Sequence, residues 1–320
     1  VTVVAEVVRS GFVESRHHGS VVALSPSGDV LLSVGTVAAP TFPRSCNKPM
    51  QAVGMLRLGI VEAFGLDSRH VAISTASHWG EPVHVEVVRD LLGRAGVPES
   101  ALRCPQDRPA GGGGGEPLRV LHNCSGKHAA MLAACVAQGW PLDGYLAADH
   151  PLQVHLRSVV AAFAGEDVTA TGVDGCGAPI FALSLTGLAR AFGRVACATS
   201  GTPESAVAHA MRAHPELIGG TGHDVTRLIG AVPGLIAKDG AEGVYAAALA
   251  DGTAVALKIE DGAARARPPV IVAALRALGA TGDDTVLDDL ASPPVLGGGV
   301  RVGEVRAVPL PAVRQVSPQR

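Results

Sequence analysis

A chain of 320 residues with 47% hydrophobic residues and a formal net charge of only -3 can bury a full core, as one large domain or two lobes. That charge balance and an aromatic content of 3% exclude the basic, aromatic-interleaved surface that nucleic acids select. No apolar run reaches the roughly 18 residues of a membrane span, and Val1-Thr-Val-Val-Ala-Glu6 lacks a signal peptide's cationic start, so the chain is read as cytoplasmic and membrane-free.

In chain order, 1–14 and 20–34 read as strands, the second broken by the turn cluster Ser25-Pro-Ser-Gly-Asp29. From Arg44 the apolar period becomes helical. The spacing predicts helices over Met50–Phe64 and Pro82–Gly96, with 70–75 between them as a short strand or extended link. The segment 105–117 carries five successive glycines, Gly111 to Gly115, and no period. It reads as a surface loop, either over a cleft or an insertion without a role. Further helices are predicted from a Ser125 cap to Gln138, then over 151–165, 180–193 and 202–214. Strands return at 243–250 and 253–259 around the turn Asp251-Gly252, followed by a helix over 268–278 and a closing strand over 300–310.

This order predicts an α+β fold: an antiparallel sheet built from both chain ends with flanking helices and an inserted helical lobe. The sheet lobe takes about 1–43 and 231–320, and the helical lobe about 44–230. A cleft between such lobes is a preferred place for a ligand.

The lysines direct the search for chemistry. Of 26 Lys and Arg residues only four are lysine: Lys48, Lys127, Lys238 and Lys258. Arginine is always charged, whereas a buried lysine can lose its proton and serve as a base or ligand. Ser45-x-x-Lys48 puts hydroxyl and amine on one helical face, the spacing by which some serine hydrolases pair nucleophile with base. A second cation would help Lys48 shed its proton, and Lys238, in Lys238-Asp-Gly240 just ahead of a strand, is the candidate; Ser77 is a plausible partner for it. Lys258 has acidic neighbours and reads as a structural ion pair.

Six cysteines in a chain of this length do not make a disulfide scaffold. Cys135 and Cys197 sit in alanine-rich apolar stretches and read as core. Cys124, in Cys124-Ser-Gly-Lys127-His128, and Cys176, in Asp174-Gly-Cys176-Gly, sit in turns. Turn-borne cysteines suit zinc, though the spacing alone equally describes a structural turn, and the P-loop pattern fails at Leu121 and His128. His78, His122 and His128 are candidates to line the site.

Taken together, Arg44-Ser45-x-x-Lys48-Pro49-x-Gln51, Ala76-Ser77-His78, Cys124-Ser-Gly-Lys127-His128, Asp174-Gly-Cys176, His214-Pro-Glu216 and Lys258-Ile-Glu-Asp-Gly262 resemble the rhizobial-type (asparaginase II) L-asparaginases over nearly the whole chain. That family is related in fold to serine β-lactamases and glutaminases. The resemblance implies hydrolysis of L-asparagine to L-aspartate and ammonia by a homodimer. It implies two facing pairs, Ser45–Lys48 and Ser77–Lys238, and of these Ser45 is read as the nucleophile with Lys48 as its base. It further implies one zinc per chain on Cys124, Lys127 and Cys176, supporting substrate binding, with Asp174 ordering its water. Arg44 and His78 join Asp174 as substrate-binding candidates. Alternatives are a glutaminase or other small-amide hydrolase of this fold, a β-lactamase or D,D-peptidase, and, from a different class, a non-catalytic zinc-binding interaction protein.

Overall fold

The computed structural model describes residues 2–110 and 115–314. The chain divides into two compact units. One comprises Val1–Cys46, Leu183–Cys197 and Arg227–Arg320; the other comprises Asn47–Ala182 and Ala198–Thr226. The segment Leu183–Cys197 therefore belongs with the sheet, although it lies inside the interval 44–230.

The first unit is an antiparallel sheet of both chain ends. Its strands are β1 (Thr2–Arg9), β2 (Phe12–Leu24), β3 (Val30–Val34), β4 (Ile236–Gly240), β5 (Val244–Ala248), β6 (Ala254–Ile259), β7 (Pro294–Gly297) and β8 (Val300–Ala307). They run in the order β7-β8-β1-β2-β6-β5-β4, with β3 also paired to β2. β1 and β2 turn at Ser10-Gly11, both at positive φ (49° and 80°), the geometry whose twist matches a hairpin. Sequence reading had run one strand through this turn. In β2, Val21, Val22, Ala23 and Leu24 are all buried, so both faces of the strand are covered. Helix Leu185–Ala196 packs on β2, β5 and β6, and helix Arg267–Ala277 packs on β1, β5, β6 and β8. The sequence predicts a helix from residue 180. Instead Pro179–Phe181 and Leu183–Ser184 are extended, and the Ser184 hydroxyl caps the helix by accepting from Gly187 N–H (2.8 Å). Cys197, expected in the core, is exposed. It ends the helix, beyond the positions the packing buries.

The second unit is mainly helical. Helix Lys48–Arg57 is separated from Ile60–Phe64 by Gly59 at φ 79°, so the single predicted helix is two. Residues 70–75, expected to be extended, lie in helix Ser68–Ser74. Asp67 accepts from Arg69 and His70 N–H there, while the His70 ring returns a bond to Asp67 N–H. A capping box built with histidine is a signal that apolar periodicity does not carry. Lys48–Arg57 packs against the helices Ser125–Gln138, Pro151–Ala164 and Pro203–Ala213. Two glycines permit close approaches between helices. A Cβ on Gly54 would lie 2.8 Å from Leu156, and one on Gly126 would lie 2.2 Å from the Ile73 carbonyl oxygen. The five-glycine run falls in this unit, and Gly111–Gly114 lie outside the described residues. Its flanks are tied, Asp107 bridging to Leu118 and Ala110 N–H donating to Trp79 O (2.9 Å).

Candidate active site

In the helical unit, Lys48 is the first residue of its helix and is buried. A buried ammonium needs acceptors in place of water. Lys48 Nζ finds them in the Ala76 carbonyl and in Ser77 Oγ at 3.0 Å. The segment carrying Ser77 is stapled from both sides. Ser77 and Trp79 N–H donate to Ile218 O (2.8 Å) and Gly219 O (2.9 Å), and His78 N–H donates to Asn123 O (3.2 Å). The last bond brings the segment against the turn that ends in Cys124. Sequence reading paired Lys48 with Ser45 and Ser77 with Lys238; within this unit Lys48 holds Ser77.

Cys124 occupies the N-cap position of helix Ser125–Gln138, so Ser125, the expected cap, is its first helical residue. Gly126 lets this helix start lie against Ile73, at the end of the helix preceding Ser77. Cys176 comes from a hairpin in which Thr171–Val173 pairs with Pro179–Phe181 and Asp174 opens the turn. Gly177 at φ 84° donates to Asp174 O (2.8 Å), and Asn47, preceding Lys48, donates to Phe181 O (3.2 Å). The result is a buried cluster of Cys124, Cys176 and Lys127, with Lys127 Nζ 3.2 Å from Cys176 Sγ and Asp174 Oδ2 4.0 Å from that sulfur.

The electrostatics of this cluster are cooperative. The hydrogen bond from Cys176 draws the Cys124 thiol well below its ordinary range, against the effect of burial and with help from the Lys48 and Lys127 charges. Cys176, as donor in that bond and buried, is shifted upward. Burial disfavours the Lys127 ammonium, yet Cys176, Cys124 and Asp174 together shift it upward. Two sulfurs and an amine thus meet at one buried point.

His78 is held at both ring nitrogens. Its Nδ1 accepts from Gly80 N–H (3.1 Å), so Nε2 carries the proton and donates to Ser125 Oγ (2.9 Å). It stacks on His84 with centroids 5.0 Å apart. Burial, then the His84 and Lys48 charges, push its pKa well down. His128 is likewise buried, bonded through Nδ1 to Tyr145 Oη (2.7 Å), while His122 Nδ1 accepts from Cys124 N–H (3.0 Å).

In the sheet unit, Arg44 adopts φ 52°, a left-handed conformation that costs a non-glycine residue on the order of 1–3 kcal/mol. It precedes Ser45 in the 3-10 turn Arg44–Asn47, which runs directly into the Lys48 helix. Arg44 faces Glu242, itself at φ 57°, with Nη1 and Oε1 4.0 Å apart. The Pro43–Cys46 turn lies on edge strand β4. Cys46 Sγ donates to Lys238 O (3.0 Å), and a Cβ on Gly240 would meet Pro43 O at 2.7 Å. Burial pushes the Cys46 thiol up to about 12, marking it as a packing group. Lys238, expected just ahead of a strand, is inside β4 and fully buried. Its Nζ donates to Asp239 O (2.8 Å) and to the Asp239 carboxylate. Sequence reading gave Asp239 no role of its own beside Lys238.

Lys258 is not the expected ion pair. Its amine donates to two carbonyls, Glu242 O (2.7 Å) and Ile259 O (2.6 Å), while Asp261 pairs with His17 (2.6 Å). Gly262 leaves room for the Glu242 carboxylate, which a Cβ there would meet at 2.7 Å. The stretch Lys258–Gly262 therefore supports the Glu242 turn.

Compared with known proteins, the chain matches the sequence model of L-asparaginase II over residues 5–307. It belongs to the L-asparaginase II family. This family member is accordingly an asparaginase-type amidohydrolase. No curated protein sequence matches it. Among solved structures it is similar to a β-lactamase from Mycobacterium bovis, at 13% identity and TM-score 0.46 over 85% of this chain and 95% of that one. A putative β-lactamase from Bacteroides dorei is similar at 14% identity and TM-score 0.42, over 76% of this chain and 85% of that one. No helix among the described residues is long and apolar enough to cross a membrane.

Proposed function

We propose that this L-asparaginase II family member hydrolyses L-asparagine to L-aspartate and ammonia by serine-lysine chemistry. The observation that carries the reading is the half-buried bond from Lys48 Nζ to Ser77 Oγ, in a chain of this family. Ser45 is the nucleophile, Lys48 in its neutral form takes the hydroxyl proton, and Ser77, bonded to Lys48 and sharing the transfer with Lys238, passes a proton toward the leaving nitrogen. The Ser45 oxygen bonds to the carboxamide carbon, the C–N bond breaks, and ammonia leaves with the transferred proton. Water then cleaves the ester. Backbone amides at the start of the Ser45 turn would stabilise the oxyanion, and Arg44 would take the substrate carboxylate.

The Cys124, Lys127 and Cys176 donors fit a zinc ion. Their sulfurs and amine already converge, the Cys124 thiol is already shifted toward thiolate, and three donors leave one tetrahedral position open. These residues would hold the metal, with Asp174 beside it, and when bound it would supply a Lewis-acid anchor for a polar group of the substrate. The homodimer and the cytoplasmic setting remain parts of this reading. Light scattering after size exclusion tests the first.

The function itself is tested by ammonia release measured side by side with asparagine, glutamine and a β-lactam. Asparagine is expected to be turned over fastest. One methylene separates the two amino-acid amides, worth only about 1–3 kcal/mol to a pocket, so faster release from glutamine would reassign the substrate. Turnover of the β-lactam alone would reject the reading.

A further inference from the structure

We propose that Asp239 is a positioning residue for Lys238, aimed in turn by Arg267. The proposal rests on the serine-lysine reading and extends it to a carboxylate that the reading does not use. Lys238, Asp239 and Arg267 are all buried in the sheet unit. The Lys238 amine is folded back along the edge of β4, with the main-chain oxygen of Asp239 at 2.8 Å and carboxylate Oδ1 as acceptors. The other oxygen, Oδ2, lies 3.5 Å from Arg267 Nη1. Arg267 is itself fixed: the same nitrogen donates to Gly240 O, and the guanidinium lies 6.0 Å above the Tyr245 ring. One carboxylate is thus divided between two cations.

The arrangement has a direction. Arg267 opens the helix Arg267–Ala277, is always charged, and is anchored by a carbonyl and an aromatic face. It fixes where the carboxylate points. Lys238 is a flexible stem with a compact charge and no pre-organisation of its own, so the carboxylate decides where its amine rests. Because Cys46 Sγ is bonded to Lys238 O, the same strand position also anchors the turn that contains Ser45. Asp239 is the group that keeps the Lys238 amine in register with that turn.

The test is a kinetic double-mutant cycle on the full chain, with ammonia release from asparagine as readout. Asp239→Asn keeps size and removes charge. It is expected to lower kcat by about 10-fold or more while KM stays within about threefold, the pattern of an interaction used in the chemical step. In a Lys238→Met background the same substitution is expected to cost nothing further, because its effect passes through the amine. Wild-type kcat in Asp239→Asn, or losses that multiply in the double variant, would overturn the proposal. Wild-type turnover by Lys238→Met would overturn the underlying reading as well, which separates the two failures. Should two unneutralised cations prevent Asp239→Asn from folding, Arg267→Gln is the second probe. It keeps the Lys238–Asp239 pair and frees the carboxylate from Arg267, along with the Arg267 contacts to Gly240 O and the Tyr245 ring, with an expected kcat loss of about threefold or more. An unchanged kcat in that variant counts against the proposal.

Discussion

Lys48 Nζ donates to Ser77 Oγ at 3.0 Å and to the carbonyl of Ala76, so one amine is tied to both backbone and side chain of a single short segment. A lysine with that role is not replaceable by arginine, whose guanidinium keeps its charge and needs a planar fork of acceptors.

Lys48→Arg is therefore expected to be nearly as damaging as Lys48→Ala, with a rate loss of at least about 100-fold, the usual size for loss of a general base. Ser77→Ala should also lose rate while keeping the bond from Lys48 to the Ala76 carbonyl. Steady-state ammonia release, with circular dichroism matched to wild type, decides. A folded Lys48→Arg enzyme with most of its activity would rule out a lysine base.

Zinc content gives a readout independent of turnover. Protein purified without chelator should carry about one zinc per chain, as one tetrahedral site would hold. A Cys124→Ser, Cys176→Ser double variant should carry none by elemental analysis. Metal-free wild type, or equal zinc in both, would refute the site.

Gly126→Ala tests the packing that sets the cluster. In an ordinary helix this change stabilises, because glycine is the worse helix former. Here the added Cβ would lie 2.2 Å from the backbone oxygen of Ile73, which cannot swing away. Overpacking should win and destabilise by about 1–3 kcal/mol in denaturant titration, with zinc content lowered. A variant at least as stable as wild type would show that the two helices are free to part.

The stacked imidazoles predict acid sensitivity of a definite sign. Burial lowers the His78 and His84 pKa values below the ordinary 6.5. The unfolded chain then binds protons that the folded chain refuses, so stability is complete above pH 6.5 and falls as pH drops below it. Carboxylates with lowered pKa, such as Asp67 and Asp261, act only nearer their own range, below about pH 4. Thermal melts between pH 8 and 5 should show the loss. His84→Gln, which keeps a donor for Glu216 O, should flatten the slope. An identical slope in the variant would reject the assignment.

Composition and spacing alone determined much of this protein. The scarcity of lysine singled out Lys48, Lys127 and Lys238, all of which prove buried. Apolar periodicity located the helices at 82–94, 151–164 and 203–213, and the turn Asp251-Gly252 located the hairpin of β5 and β6. These signals are local: a period, a cap or a turn is written within a few residues. What only the tertiary structure decided are the pairings. Lys48 takes Ser77 from 29 residues away, the two nitrogens of His78 are spent on Gly80 and Ser125, and Lys258 grips carbonyls rather than the acids beside it. Asp239 carries no signal of its own in the sequence, and only the fold buries it between two cations, one of them 28 residues distant. A side chain's partner is set by which elements pack together, and that is fixed by close approaches such as Gly126 on Ile73, which no local pattern records.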